Sequence, residues 1–162
     1  MEKITDWNAL WRELSVLHIK KGHGGAPGGG KHDAWQDRAK RYDRNVKERW
    51  SQRDSSRDTI VSHLTPQDTV LDIGAGTGRW SLYLAPYAQH VTALDPSPSM
   101  LEVLRGNIAE QGLSNVSVIE GAWPEAVDRV EPHDITLCAH AMYGTPNLPQ
   151  FVRAMMSVTR KM

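Results

Sequence analysis

Three glycines at alternating positions follow a short apolar run, in a pattern suited to holding a ligand. The run is TVLDI at 69–73, and Gly74, Gly76 and Gly78 come next, close to Asp72. Glycine permits positive φ and has no side chain, so a ligand can lie directly against the backbone of a strand-to-helix turn. The pattern predicts a cofactor site at the carboxyl edge of a sheet.

The spacing of these glycines distinguishes the site from two common nucleotide-binding motifs. Dinucleotide sites carry G-x-G-x-x-G, and the phosphate loop of nucleotide hydrolases carries G-x-x-x-x-G-K-[ST]. Here the spacing is G-x-G-x-G, and Arg79 follows the last glycine instead of a lysine. Neither motif fits this sequence well.

Short β-rich runs alternate with helical ones after Pro66. Strands are predicted at 69–73, 90–95, 115–120 and 133–139, and helices at 78–88, 97–111, 124–130 and 148–161. A strand-helix-strand repeat of about 20 to 25 residues is typical of right-handed βαβ units on a parallel sheet. The predicted fold class is therefore α/β.

The residues before Pro66 have a different pattern. Apolar residues at three- and four-residue spacing predict helices at 5–20 and 33–64, and the segment 22–30, GHGGAPGGG, predicts a flexible loop that acts as a hinge or lid. Two domains are expected: a helical N-terminal cap at 1–65 and a cofactor-binding α/β domain at 66–162.

Residues 70–80, VLDIGAGTGRW, resemble the first motif of the class I S-adenosylmethionine-dependent methyltransferases. Further stretches are similar to that family in the same order, DPSPSML at 95–101, EGAWP at 120–124 and DITLCAHAMY at 134–143. The resemblance implies a Rossmann-like parallel sheet of about four strands in the order 3-2-1-4 with the C-terminal strands absent. It also implies S-adenosylmethionine as the cofactor.

The N-terminal segment adds a looser resemblance. Tyr42-Asp43 and Trp50 look like the helical cap of the small-molecule members of the family, the "type 11"-like subgroup. This likeness implies a small-molecule acceptor.

The resemblance also implies a set of cofactor contacts. The glycines cradle the methionine and ribose parts, Asp72 supports the loop, and Asp95, 23 positions after Asp72, accepts the ribose hydroxyls. Adenine is flanked by residues after the second and third strands, although Trp123 is equally consistent with plain core packing and core packing is the preferred interpretation of Met100. The implied cofactor-binding positions are Asp72, Gly74, Ala75, Gly76, Gly78, Asp95, Pro96, Met100, Ala122, Trp123 and Ala139.

Methyl transfer asks little of side chains beyond alignment and, for some acceptors, removal of a proton. His140, just after the fourth predicted strand, is the candidate base, and Tyr143 is the candidate for orienting the acceptor; both residues could instead serve packing. Cys138 is interpreted as a small buried hydrophobe. The run CAHAMYG lacks the Asn- or Asp-Pro-Pro-Tyr pattern, which disfavours a DNA amino-methyltransferase.

Composition sets the remaining limits. The 162 residues include 19 basic and 19 acidic side chains and one cysteine, with no apolar run of membrane-spanning length. These features predict a cytoplasmic protein without a disulfide framework. Residues 1–60 carry 13 basic and 9 acidic side chains, a net charge of +4, and four of the six Trp. Basic residues interleaved with aromatic ones also occur in nucleic-acid-binding segments. A solvated helical face is the preferred interpretation.

A metal site is not expected. His18, His23, His32 and Asp33 flank the glycine-rich segment, but their spacing across a helix end and a flexible loop gives poor ligand geometry. A lid that brings His32 to the mouth of the pocket is the preferred interpretation.

The predicted function is S-adenosylmethionine-dependent methyl transfer to a small-molecule acceptor. The alternatives are an incomplete or non-catalytic cofactor-binding module that needs a second segment or chain, and an RNA or protein methyltransferase. Residues 160–162 are expected to lie in the helix after the fourth strand. The exposed edge of that strand predicts either a truncated polypeptide or a homodimer that covers the edge.

Overall fold

The computed structural model describes residues 6–20, 33–52 and 54–161. Its centre is a four-stranded parallel sheet in the order β3-β2-β1-β4. The strands are β1 at Thr69–Ile73, β2 at His90–Asp95, β3 at Val116–Glu120 and β4 at Ile135–Leu137. The predicted fold class and strand order are confirmed.

Both faces of the central strands are covered, which explains their continuous apolar runs. Val70 packs against Trp80 on one face of the sheet, and Leu71 belongs with Phe151 to the core on the other face. Val70 and Leu71 are fully buried. Because the four strands are parallel, their carboxyl ends lie at the same edge of the sheet, and the loops that follow them lie close together.

The helices that follow the strands are α4 at Arg79–Leu84, α5 at Pro98–Glu110 and α6 at Leu148–Ser157. A 3-10 turn extends α4 through Tyr87, and two more 3-10 turns lie at Val127–Arg129 and Met142–Gly144. The helix predicted at 124–130 is only a 3-10 turn, because the backbone there closes three-residue hydrogen bonds, from the Val127 N–H to the Pro124 carbonyl and from the Arg129 N–H to the Ala126 carbonyl.

In the part of the chain that the structure describes, three helices precede the sheet: α1 at Trp7–Lys20, α2 at Ala39–Trp50 and α3 at Ser55–Ser62. The single helix predicted at 33–64 is wrong, because the helical conformation is interrupted between α2 and α3. Asp54 is extended, and its side chain accepts a hydrogen bond from the Ser56 N–H, so it caps a new helix. The predicted loop at 22–30 lies outside the described residues.

The chain after α6 turns back to the sheet instead of continuing as helix. Thr159 forms a parallel bridge with His133, just before β4, and Arg160 donates its backbone N–H to the His133 carbonyl at 2.9 Å. Lys161 also pairs with Asp68. The helix predicted through residue 161 is thus wrong at its end, and the residues that lead into β4, His133 and Asp134, pair with the backbone of residues 158–161.

None of the helices in the described ranges is long and apolar enough to cross a membrane.

Candidate functional site

The loop after β1 is held against β2 by its backbone. The N–H groups of Gly74 and Ala75 both donate to the Leu94 carbonyl, at 2.7 and 3.0 Å. Gly74 has a φ of 76°, and a Cβ built on it would collide with Ala141, in the loop after β4. The glycine therefore allows the loops after β1 and β4 to meet.

The other two glycines of the motif meet different demands. Gly78, with a φ of 95°, is the N-cap of α4, and a Cβ there would collide with the side chain of Leu104. Gly76 has a φ of 58°, but a Cβ there would meet nothing within 4 Å. The space beside Gly76 is open, as a cradle for a ligand lying on the backbone requires.

Asp95 connects three of the loops at this edge. Its carboxylate accepts hydrogen bonds from the N–H groups of Gly76 and Ser97, each at 2.9 Å, and its carbonyl accepts one from Gly121 at 3.0 Å. The side chain is buried, and burial raises its pKa. Each carboxylate oxygen can accept a further hydrogen bond, so Asp95 can also serve a ligand hydroxyl.

Asp72 is the second buried carboxylate of the site. It accepts a hydrogen bond from the Ser81 hydroxyl at 2.6 Å, and burial raises its pKa to about 6, with a smaller contribution from the charge of Asp95. Within residues 6–20, 33–52 and 54–161, no basic side chain pairs with Asp72 or Asp95. The site can therefore stabilise a positively charged ligand.

The remaining cofactor positions predicted from the sequence differ in exposure. Pro96 is exposed and Ala122 and Ala139 are half-buried, whereas Ala75, Met100 and Trp123 are buried. The Trp123 indole lies in the hydrophobic core and donates its N–H to the Phe151 carbonyl at 3.2 Å. This packing gives Trp123 a structural role, and adenine contacts for it and Met100 stay a prediction.

His140 and Tyr143 lie together in the loop after β4. The His140 backbone has a φ of 61°, in a left-handed region that is rare for residues other than glycine and recurs at functional sites. Its Nδ1 and the Tyr143 hydroxyl form a hydrogen bond of 2.9 Å. Both side chains are exposed, so a proton can pass between this pair and a molecule that reaches the loop.

Helix α1 packs on this loop. The Trp11 indole N–H and the Ser15 hydroxyl both donate to the Thr145 carbonyl, at 2.7 and 2.9 Å. The ring of His18 lies 5.7 Å from that of Tyr143, centre to centre. The N-terminal helix thus forms one side of the surface around the His140–Tyr143 pair.

The sequence pattern did not predict the contacts that two residues, Asp33 and Asn107, make near the site. Asp33, considered there only for a metal site, binds the start of α5 through Ser97 and Ser99. Asn107 donates to the Asp43 carboxylate and to the Thr77 carbonyl, each at 3.0 Å, and so joins α2 to the glycine loop. A polar residue on the apolar face of a helix was the only sequence signal for Asn107.

Cys138 is partly buried, and burial raises the pKa of its thiol to about 11, which agrees with its interpretation as a small hydrophobe. In the described part of the chain, no group of three or more His, Cys, Asp or Glu side chains could hold a metal ion. His23 and His32, named above with the metal site and the lid, lie outside the described residues.

Residues 70–162 match the sequence model of a family described as "Methyltransferase domain". This match covers more than half of the chain, including every loop of the site. The chain belongs to this methyltransferase family. The resemblance to class I S-adenosylmethionine-dependent methyltransferases is thereby confirmed, and membership implies S-adenosylmethionine as the cofactor.

The names of individual relatives of this chain refer to different methyl acceptors. A protein-L-isoaspartate O-methyltransferase of Protochlamydia amoebophila is 26% identical over 101 residues, 62% of this chain and 47% of that protein. A 23S rRNA (uracil(1939)-C(5))-methyltransferase of Klebsiella pneumoniae is 41% identical over 66 residues, 41% of this chain and 15% of that protein. The chain spans less than half the length of these curated relatives.

A solved structure from Methanococcus maripaludis shares the fold, with a TM-score of 0.65 and 21% identity, covering 85% of this chain and 64% of that one. The residues of the site fit the cofactor that the family implies. Gly76 leaves space for a ligand on the backbone, and no basic side chain of the described ranges pairs with Asp72 or Asp95, so S-adenosylmethionine would supply their positive partner.

Proposed function

We propose that the chain binds S-adenosylmethionine at the loop 74–78 and transfers its methyl group to a small-molecule acceptor. The observation that carries the proposal is the pair of buried carboxylates, Asp72 and Asp95, beside an open glycine loop and without a basic partner among the residues that the structure describes. Hydrogen bonds from Gly76, Ser97 and Ser81 compensate part of the cost of burying these carboxylates, but burial still raises the pKa of both, so opposite charge would stabilise them further. S-adenosylmethionine carries a sulfonium, an ammonium and two ribose hydroxyls, which satisfy this need.

Each carboxylate has a distinct part in binding. Asp95 already orders the loop through Gly76 and keeps acceptor capacity for the ribose hydroxyls. Asp72, buried behind the loop and fixed by Ser81, places negative charge where it attracts the cationic cofactor. The glycines keep side chains out of the space that the ligand fills.

When bound, S-adenosylmethionine supplies a methyl group already activated by the positive sulfur. The chain then has to align the acceptor, exclude water and, for an acceptor that ionises, take up a proton. The His140–Tyr143 pair lies after β4, and Ala141 between them touches Gly74 of the cofactor loop. We assign the proton to this pair, with imidazole as the base, since imidazole accepts protons near neutral pH.

A small acceptor is supported by the packing of α1. The helix is anchored to Thr145 by two hydrogen bonds, and its His18 ring lies against Tyr143, so one side of the candidate acceptor site is already covered. An RNA or protein acceptor would need a wider open surface. That class stays the second candidate because the relatives above are named for protein and rRNA methylation and residues 1–60 carry a charge of +4.

Calorimetry with S-adenosylhomocysteine tests cofactor binding. Wild-type protein should bind, and Asp95→Asn should weaken binding about 10-fold or more, because a ribose hydroxyl loses a charged acceptor. Glu102→Gln removes the same charge from an exposed position on α5 and should leave affinity unchanged. No binding to wild type, or equal binding to Asp95→Asn, would contradict the proposal.

The acceptor class is tested by incubating the protein with methyl-labelled S-adenosylmethionine and three separated fractions: small metabolites, total RNA and total protein. Label should enter the metabolite fraction, and His140→Asn should reduce its rate. Label in RNA or protein instead would establish the second candidate. Cofactor binding without transfer to any fraction would favour the incomplete cofactor-binding module.

A further inference from the structure

Asp33 lies outside the family-matched residues, yet its carboxylate contacts the first residues of α5. It accepts hydrogen bonds from the Ser97 hydroxyl and the Ser99 N–H, both at 2.8 Å. Ser97 in turn donates its own N–H to Asp95 at 2.9 Å. A continuous line of hydrogen bonds therefore runs from Asp33 through Ser97 to Asp95, and from Asp95 to the Gly76 N–H.

The Asp33 carboxylate is stabilised in its ionised form by these contacts. Burial acts to raise its pKa, but hydrogen bonds from Ser99, Trp35 and Ser97 outweigh burial and lower the pKa to about 2. The carboxylate is thus ionised near neutral pH, and hydrogen bonds to an ionised acceptor are about twice as strong as neutral ones. Its charge also lies at the favourable N-terminal end of the α5 dipole.

Ser97 and Asp33 accept the hydrogen bonds of the backbone N–H groups in the first turn of α5. The Ser97 hydroxyl accepts from Met100, Asp33 accepts from Ser99, and Pro98 has no N–H to satisfy. Because the Ser97 hydroxyl also donates to Asp33, its rotation is restricted by bonds on both sides. This restriction orders the turn between Asp95 and α5.

A second connection joins the same N-terminal segment to the same site. Asn107 of α5 binds both Asp43 of α2 and the carbonyl of Thr77 in the glycine loop. Lys47 pairs with Asp43 at 3.0 Å and donates to Asn107 at 2.9 Å. Residues 33–50 are thus attached to the loops after both β1 and β2.

We propose that Asp33 is a positioning residue of the cofactor site, which acts through Ser97 to hold the Asp95 carboxylate ready for the ribose hydroxyls. The proposal rests on the proposed function, because Asp95 needs a ribose to bind. Under this proposal, cofactor affinity depends on Asp33, although this residue lies in the N-terminal segment and far from the glycine motif in sequence.

A double-mutant cycle measured by calorimetry with S-adenosylhomocysteine tests the proposal. Asp33→Ala should weaken binding about 10-fold, and Asp33→Asn, which keeps one acceptor oxygen, should weaken it less. In an Asp95→Asn background, Asp33→Ala should add less than about 2-fold, because a residue that acts through Asp95 loses its effect when that carboxylate is absent. Asp37→Ala, the same charge change at an exposed position nearby, is the matched control.

Full additivity of Asp33→Ala and Asp95→Asn would overturn the proposal, since Asp33 would then affect the fold and not the orientation of Asp95. So would wild-type affinity in Asp33→Ala. Ser97→Ala breaks the connection from its other end without altering the N-terminal segment, and should weaken binding similarly if Asp33→Ala is too unstable to assay.

Amide hydrogen exchange without any ligand separates this proposal from the proposed function. Exchange at Ser97 and Ser99 should accelerate in Asp33→Ala and stay unchanged in Asp37→Ala. Unchanged exchange in Asp33→Ala would overturn the connection itself. Accelerated exchange in a protein whose wild type binds no S-adenosylhomocysteine would leave the connection intact and overturn the proposed function.

Discussion

The carboxylate of Asp95 accepts a hydrogen bond from the backbone N–H of Gly76 at 2.9 Å, so the residue that ends β2 orders the loop that follows β1. Gly76 is also the glycine whose missing side chain leaves open space. The same pair therefore provides both the acceptor and the surface of the candidate cofactor site. Asp72 lies buried at the end of β1 and adds a second negative charge.

Cofactor affinity should depend on pH through Asp72. Its pKa of about 6 means that the carboxylate is largely ionised at pH 7.5 and largely protonated at pH 5. A cationic ligand favours the ionised form, so S-adenosylmethionine should bind up to about 10-fold more weakly at pH 5 than at pH 7.5. Calorimetry at both pH values measures the change, and adenosine, which carries no positive charge, should respond less. A flat profile for S-adenosylmethionine would contradict the role of Asp72.

The stability of the ligand-free protein should depend on Asp72 in the opposite sense. Because the folded-state pKa is raised above the ordinary value of 3.8, folding favours the protonated carboxylate. The contribution of Asp72 to stability is then present below about pH 4 and lost as the pH rises through about 6. Asp72→Asn should raise the ligand-free Tm at pH 8 by roughly 3 °C or more while weakening cofactor binding. An unchanged or lower Tm would contradict this prediction.

Two glycines should respond oppositely to alanine. Gly78 has a φ of 95° and a Cβ there would collide with Leu104, so Gly78→Ala should destabilise the fold by about 2 to 4 kcal/mol. Gly106 lies within α5 with no atom near its missing Cβ, so Gly106→Ala should stabilise by about 0.5 to 1 kcal/mol. Urea unfolding of the two variants measures both values, and a mild effect of Gly78→Ala would contradict the described loop.

The His140–Tyr143 pair should affect transfer and leave cofactor binding unchanged. Tyr143→Phe removes the hydroxyl that bonds His140 at 2.9 Å but keeps the ring that lies against His18. Once an acceptor is found, kcat should fall about 10-fold or more in this variant, since proton transfer contributes roughly that much or more. Equal affinity for S-adenosylhomocysteine serves as the control. A kcat equal to wild type would exclude the Tyr143 hydroxyl from the reaction.

Much of the sheet could be predicted from local pattern because its strands are short, apolar and separated by helical runs. The helix boundaries were less predictable. The break at Asp54 depends on an extended cap residue inside a continuous helical pattern, and the turn after Ser157 depends on pairing with His133, which lies 24 positions before Ser157 in the chain. Neither the interruption of the helix at Asp54 nor the pairing with His133 can be identified from the spacing of apolar residues alone.

By itself, the sequence determined the parallel α/β fold, the glycine loop and the carboxylates at the ends of β1 and β2, because these depend on neighbouring residues and on strand order. Only the tertiary structure decided that Asp33 contacts the start of α5 and that Asn107 contacts the Thr77 carbonyl in that loop. Their partners include residues 64 positions away, such as Ser97 for Asp33 and Asp43 for Asn107. Local propensity carries no information on such pairs, since only the packing of residues 33–50 against α5 brings them within hydrogen-bond distance.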